Sequence, residues 1–393
     1  MKRLCSLTIF LTLTLGVWAQ KVVSSIIVDA VTGEALPWVH VITDEKDGTV
    51  TNTDGEFELK ISTQKTIHIS TLGYEKTSFP VSHIPNPVRL NPISYGINEV
   101  KVTPIDAKRL IGDLYDKYIK WVVTDSLQQN ATYFYRQTTR NNGKINEILE
   151  AFFNTSSSIM INDFNLCYGR YASTDTDISH RNFFSFSAIT PLGKMGKDGA
   201  LWTAFITKEY ENYYDVDLKS FALDGRDAYI LTFSEKKRNK LPVIVGKLYV
   251  DGYSLLPIKF EGEILHFNYH QPWQMSGQKP SFTITYSSYE DKVKVESVSF
   301  KDSYNIKSIM RDSEKTKVEI SSIMYRVRTN LPEAGNTHIR TSDYLYEAIK
   351  SHPYDSAFWA KYPIIKRTEK EIQAIDNFSK EFIENSASLQ LTK

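Results

Sequence analysis

The chain has 393 residues, with 47 lysines and arginines against 46 aspartates and glutamates. A balance this close to neutrality excludes the basic surface that nucleic-acid binding needs. Hydrophobic residues make up 41% of the sequence, enough for substantial cores, and the length suggests about two or three domains. The 23 tyrosines suit β-sheets, whose half-buried faces accept an amphipathic ring.

In chain order, the first element is a targeting segment. Lys2 and Arg3 precede the apolar stretch Leu4 to Trp18, and Val17-Trp18-Ala19 has the small-x-small form of a cleavage site. The apolar run is shorter than the roughly 20 residues of a spanning helix. The expectation is a signal peptide over 1–19, export to the periplasm with outer-membrane association, and a mature chain from Gln20. Without Lys2 and Arg3 the count is 45 basic to 46 acidic, a net of −1. Cys5 lies inside the apolar stretch, badly placed for lipidation, and its removal leaves Cys167 alone. A single cysteine forms no internal disulfide, and in "FNLCYGRY" it reads as a small buried hydrophobe.

From Lys21 to Thr103, short strands alternate with turn residues at regular spacing, the all-β pattern. The strands are "VVSSIIV", "WVHVIT", "EFELKI", "KTIHIST", "GYEKTSFPV", "PVRL" and "NEVKV". In "EFELKI", Phe57, Leu59 and Ile61 share one face while Glu56, Glu58 and Lys60 share the other. "DEKDGTVTNTDG" reads as one connection. Its Asn52, Asp54 and Gly55 raise the question of a calcium loop. Counting back from Gly55 puts the first ligand position on Val50, and no helical pattern flanks the segment. Asp54-Gly55 is therefore expected to turn the chain.

The order "VTGEALPWVHV", "GTVTNTDGEFELKI", "IHISTLGYEK", "INEVKVTP" resembles the carboxypeptidase regulatory-like domain, over about 80 residues. The resemblance implies a transthyretin-like β-sandwich at residues 20–103, in an exported envelope protein of the Bacteroidetes type. It implies an accessory module and no peptidase activity. It also places Gly33 and Gly55 in turns, and Tyr74 packed on the sandwich.

Residues 104–124 change period. Leu110, Ile111, Leu114, Tyr115, Tyr118, Ile119, Val122 and Val123 recur at spacings of three and four, an amphipathic helix. Thr103 and Asp106 have capping-box spacing, with Pro104 at the first helical position. Charges of both signs on the polar face favour docking on the protein's own sheet over a membrane.

Residues 125–341 read as a large antiparallel sheet. "TYFYRQTTR" and "KINEILEAFFNT" flank the hairpin turn Asn142-Gly143. "DAYILTFSEK", "VIVGKLYV", the turn Asp251-Gly252, "LLPIKFEGEILHFNY", "SFTITYSSYE", "KVKVESVSFKDSYNI" and "TKVEISSIMYRVRT" continue the meander. Residues 342–393 return to helical periods. On "YFYRQ", "GKLYVDGYSLLPIKFE" and "YDSAFWAKYPII", the region is similar to an uncharacterised domain that follows the regulatory-like module in envelope proteins. In strand order it resembles the half-barrel of periplasmic lipoprotein carriers, which implies a curved sheet around an apolar interior. Phe134, Phe152, Leu231, Phe233, Leu248, Ile258, Phe260, Phe282, Ile284 and Tyr286 are expected to line its concave face.

Catalytic signatures are missing from the sequence. None of the eight histidines sits in a zinc-peptidase spacing with glutamate, and no G-x-S-x-G elbow occurs. "GKMGKDG" (193–199) lacks the strand and glycine spacing of a dinucleotide loop, and reads as a surface loop. "EGEILHFNYHQPW" is the strongest remaining candidate. If its strand continues, Glu261, Glu263, His266 and His270 fall at even spacing, but the two histidines lie about 13 Å apart, too far for one metal. Phe260, His266, His270 and Trp273 are the candidate ligand or partner contacts; no catalytic residue, metal or cofactor is assigned.

The sequence thus supports a mainly β, non-catalytic exported protein that binds an envelope partner or an apolar, lipid-like ligand. Two alternatives stay open: a hydrolase of envelope or dietary polymers with its site in 125–341, and an outer-membrane barrel component.

Overall fold

A computed structural model describes residues 21–44, 48–61, 66–93, 106–124, 127–173, 184–192, 204–223, 226–236, 242–267, 273–289, 292–308, 315–328, 331–332, 337–341, 343–362 and 364–385. The proposed signal peptide, Thr103, Pro104, the strand at "NEVKV", the loop 193–199 and His270 lie outside them. The chain divides into two units at Ile93 and Ser94.

The first unit is a two-sheet sandwich. β1 (Lys21–Asp29) pairs antiparallel with β4 (Glu56–Ile61) and parallel with β7 (Val88–Leu90). The second sheet runs β3 (Gly48–Val50), β2 (His40–Thr43), β5 (Thr66–Ser70) and β6 (Thr77–Pro80). Val23, Ile27, Phe57 and Ile61 from one sheet meet Val39, Val41, Ile67 and Ile69 from the other in a single buried cluster. This is the expected alternation, with Glu58 and Lys60 left outward. The connection before Asn52 differs from the expectation. Gly48–Val50 is a strand, because Thr49 and Val50 find ladder partners on β2 and bury their side chains.

The second unit begins with α1 (Ala107–Val123). Its cap is Asp106, whose carboxylate accepts from the Lys108 amide, so the helix starts later than Thr103. Leu110, Ile111, Leu114, Tyr118 and Trp121 are buried along one stripe.

Next come β8 (Gln129–Asn141), β9 (Lys144–Ser157) and β10 (Ile161–Ser173). Asn142 and Gly143 both take positive φ, the geometry the hairpin turn requires. β11 (Tyr214–Leu223), β12 (Arg226–Glu235), β13 (Val243–Asp251), β14 (Pro257–Leu265), β15 (Trp273–Ser276), β16 (Ser281–Tyr289), β17 (Lys292–Ser308), β18 (Thr316–Val327) and β19 (Thr337–His338) follow.

They form one 12-stranded sheet in the order β11-β12-β13-β14-β16-β17-β18-β8-β9-β10-β19, with β15 also on β17. All its pairings are antiparallel, and β11 and β19 end the order without joining each other, so the sheet is not closed into a barrel. This removes the outer-membrane barrel reading, because a spanning barrel must leave no edge. α2 (Leu345–Ser351), α3 (Ser356–Lys361) and α4 (Glu369–Asn385) complete the unit.

Both faces of the β8–β9–β10 region are covered. Cross-strand partners Phe134, Phe152 and Tyr168 lie on one face, with Tyr135, Ala151 and Phe153 among residues on the other. The first set packs against Phe358 and Trp359 of α3. Phe134 and Phe152 therefore do not line the same face as Phe260, contrary to expectation. In strands buried on both sides hydrophobicity no longer marks the inward face, and only parity does.

Candidate functional site

The inner face of the sheet joins one continuous apolar cluster. Tyr135, Phe153, Leu231, Phe233, Leu248, Phe260, Phe282, Ile284 and Phe300 belong to it, together with the α1 stripe and Leu345, Tyr346 and Ile349 of α2. α2 seats closely: a Cβ on Gly169 of β10 would stand 2.8 Å from a side-chain carbon of Ile349. Among the described residues, further cover comes from outside the sheet and the α-helices, part of it 3-10 helix at Phe184–Ala188 and Tyr210–Asn212. Two stretches between β10 and β11, residues 184–192 and 204–213, insert aromatic rings into the face.

Phe186 stacks on Phe300 with ring centroids 3.9 Å apart, and Phe205 stacks on Phe233 at 4.2 Å. Phe205 also meets Phe260 edge-on at 4.9 Å. Phe184 sits among Phe153, Phe164 and Tyr135. The two stretches hold each other through an amide of Ile206 that donates to the Pro191 carbonyl, next to a bridge between Leu192 and Ile206. The result is an aromatic plug. It packs on rings that belong to regular strands.

Of the four candidate residues, His270 lies outside the described residues. Phe260 is fully buried on β14, beneath Phe205 and beside Phe282. β14 ends at Leu265, and His266 takes a φ of 58°, so the strand does not continue and the even spacing to His270 has no meaning. His266 Nε2 instead contacts both carboxylate oxygens of Glu235, at 2.9 and 3.1 Å. Trp273 opens β15 opposite Ser308. Glu261 pairs with Lys259 at 2.6 Å and accepts from the Tyr249 hydroxyl. Phe186 and Phe205 escaped the sequence reading; their signal was the apolar content of "NFFSFSA" and "LWTAFI" on either side of a glycine-rich loop.

On the opposite face a buried charge network fastens the C-terminal helices. Glu150 is fully buried, with Arg136 at 2.7 Å, Arg170 at 2.5 Å and Arg367 at 3.0 Å. Burial pushes the Glu150 carboxyl up, but Arg170, Arg367 and Arg136 together outweigh it and hold the group well below the usual carboxylate range. Arg136 also donates to the Ile365 carbonyl, and Thr138 donates to Glu371 at the start of α4. Among the described residues, three arginines face two carboxylates, an excess of one positive charge, and the Ile365 and Lys366 carbonyls that accept from Arg136 make the network a clamp for the C-terminal segment. Among the described residues no group of three or more His, Cys, Asp or Glu is placed to hold a metal.

In the first unit, the structure shows what the segment around Asp54 does. Asn52 Oδ1 accepts from the amides of Asp54 and Glu56, both at 3.0 Å, and its Nδ2 donates to Glu56. Gly55 takes a φ of 75°, and a Cβ there would stand 2.6 Å from the Ile27 carbonyl. The segment is a corner organised by Asn52. Tyr74 packs on the core and donates its hydroxyl to Asp29 at 2.8 Å; burial and that carboxylate push its pKa up to about 12.

Residues 24–101 match the CarboxypepD_reg-like domain family. The match covers the sandwich from Ser24 onward and ends at Lys101, ahead of α1. No curated protein matches the chain. Among solved structures, a DUF1329 family protein from Desulfovibrio piger is 11% identical, with 56% of this chain and 95% of that one covered, at a TM-score of 0.20. A LolA superfamily protein from Nitrosomonas europaea is 13% identical, with 56% and 94% covered, also at a TM-score of 0.20. At that TM-score neither likeness bears on the function of this chain.

Proposed function

We propose that this is a non-catalytic, exported envelope protein whose sheet unit binds an apolar ligand of the acyl-chain type along its inner face. The observation that carries this reading is the plug. Strands supply the aromatic floor of Phe233, Phe260, Phe282 and Phe300, whereas the two short stretches between β10 and β11 supply the lid of Phe186 and Phe205. A ligand tail that replaces those two rings buries the same floor without disturbing any strand pairing. The export part rests on the charged, apolar and small-residue order of the first 19 residues.

The plug and the ligand then compete for one surface. Phe205→Ala is expected to tighten binding of an environment-sensitive apolar probe, N-phenyl-1-naphthylamine, because the internal competitor is weakened. Phe260→Ala, which cuts into the floor, is expected to weaken it. Absence of probe binding in the native protein and in both variants would overturn the proposal. N-terminal sequencing of the protein from an envelope fraction is expected to begin at Gln20, and retention of Met1 would remove the export claim.

A further inference from the structure

A second charge cluster, at the end of the sheet where β16, β17 and β18 meet, differs from the Glu150 clamp in its balance. Glu296 on β17 is buried to 5% exposure. Its Oε2 receives Arg326 Nη2 at 2.7 Å, and its Oε1 receives Arg328 Nη2 at 2.5 Å. The two guanidinium groups alternate along β18 and the residue after it, so one carboxylate holds both on the same side of the chain. Among the described residues, Arg326 also donates to the Ser287 hydroxyl and Arg328 to the Tyr325 hydroxyl, at 3.3 and 3.4 Å.

Lys294 stands two residues before Glu296 on β17 and is half-buried, with its ammonium on the Asn130 carbonyl at 3.2 Å. No carboxylate among the described residues pairs with it. Among the described residues, three cations therefore stand with one buried anion, a formal excess of two positive charges. Burial pushes the Lys294 ammonium down, Arg326 and Lys292 push it further, and only Glu296 opposes them.

A buried carboxylate that orients two forked donors, beside a crowded ammonium and two hydroxyls, suits a doubly charged oxyanion better than it suits the protein alone. We propose that Arg326, Arg328 and Lys294 form a binding site for a phosphate-type anion, either free or as the headgroup of an anionic phospholipid. Glu296 is the positioning residue: it fixes both forks and is too buried to be displaced by the ligand. The site is independent of the apolar face, since it needs neither Phe186 nor Phe205 to move.

The test is calorimetric titration of the full chain with inorganic phosphate, alongside flotation with vesicles of phosphatidylglycerol or phosphatidylcholine. Saturable phosphate binding is expected, about tenfold weaker in Arg328→Gln and in Lys294→Met, since each removes one charge-assisted hydrogen bond. Lys294→Met empties only the half-buried position, so its fold is the safer of the two. In the native protein, the Lys294 ammonium followed by NMR is expected to titrate at higher pH once phosphate is bound. Flotation with phosphatidylglycerol but not phosphatidylcholine, competed by phosphate, identifies a lipid headgroup; phosphate binding without flotation identifies a free anion. No saturable binding of either, or equal affinities in the native protein, Arg328→Gln and Lys294→Met, would overturn the site.

Discussion

At the residue scale, the corner at Asn52–Gly55 shows how few groups decide a turn. The Asn52 amide satisfies two backbone donors and braces Glu56, while Gly55 passes beneath Ile27 in a left-handed conformation. Gly55→Ala adds both backbone strain and a contact that requires movement. It is expected to cost more than about 1 kcal/mol, read as a lower denaturation midpoint. Asp54→Asn is expected to leave the midpoint within about 1 kcal/mol and added calcium to leave it unmoved, because the Asp54 side chain does not organise the corner.

Glu150 is a buried anchor of the second unit, and its chemistry sets a pH dependence. Its folded pKa lies below its unfolded value, so its contribution is present above the unfolded carboxylate range and is lost as pH falls through the folded value. Glu150→Gln leaves Arg136, Arg170 and Arg367 without their common anion and is expected to destabilise by about 3–5 kcal/mol. The same variant is expected to flatten the acid limb of the stability–pH curve, measured by denaturant melts from neutral to acidic pH. An unchanged acid limb would show that Glu150 does not carry this dependence.

At the element scale, the most legible segments were those with one buried face. "EFELKI" and the stripe of α1 fell out of simple periodicity, and the Asn142-Gly143 turn gave its hairpin directly. β10 was missed for a physical reason: "INDFNLCYGRYAS" is buried on both faces over most of its length, so no alternation survives to mark a strand. β11 does alternate, with Asp215, Asp217 and Lys219 outward, and could have been read. The start of α1 shows a finer limit. Thr103 and Asp106 are both good caps by type, and only the backbone geometry decides for Asp106. Asp106→Ala is expected to cost about 1 kcal/mol in the stability of the second unit. As for the candidate site, Phe260 is expected from the sequence among the apolar residues lining the sheet and is a large buried ring, but the break at His266 and the plug rings of Phe186 and Phe205 depend on long-range packing that no local pattern encodes.

At the scale of the whole molecule, the two units have separate hydrophobic clusters, so residues 20–93 are expected to fold alone and melt cooperatively by circular dichroism. Within the second unit the cover is uneven. Helices α3 and α4 are fastened to one face by aromatic stacking and the Glu150 clamp, while the other face is covered by α1, α2 and the two short stretches between β10 and β11. That asymmetry is what the proposed ligand role uses: the firmly held face stays shut and the loosely closed one admits the tail.

Hydrogen exchange with and without a bound fatty acid tests this most directly. The account predicts that ligand speeds exchange in residues 184–192 and 204–213 while β12, β14 and β17 keep or gain protection. Unchanged or slower exchange in both stretches, with the fatty acid shown to be bound, would contradict displacement of the plug.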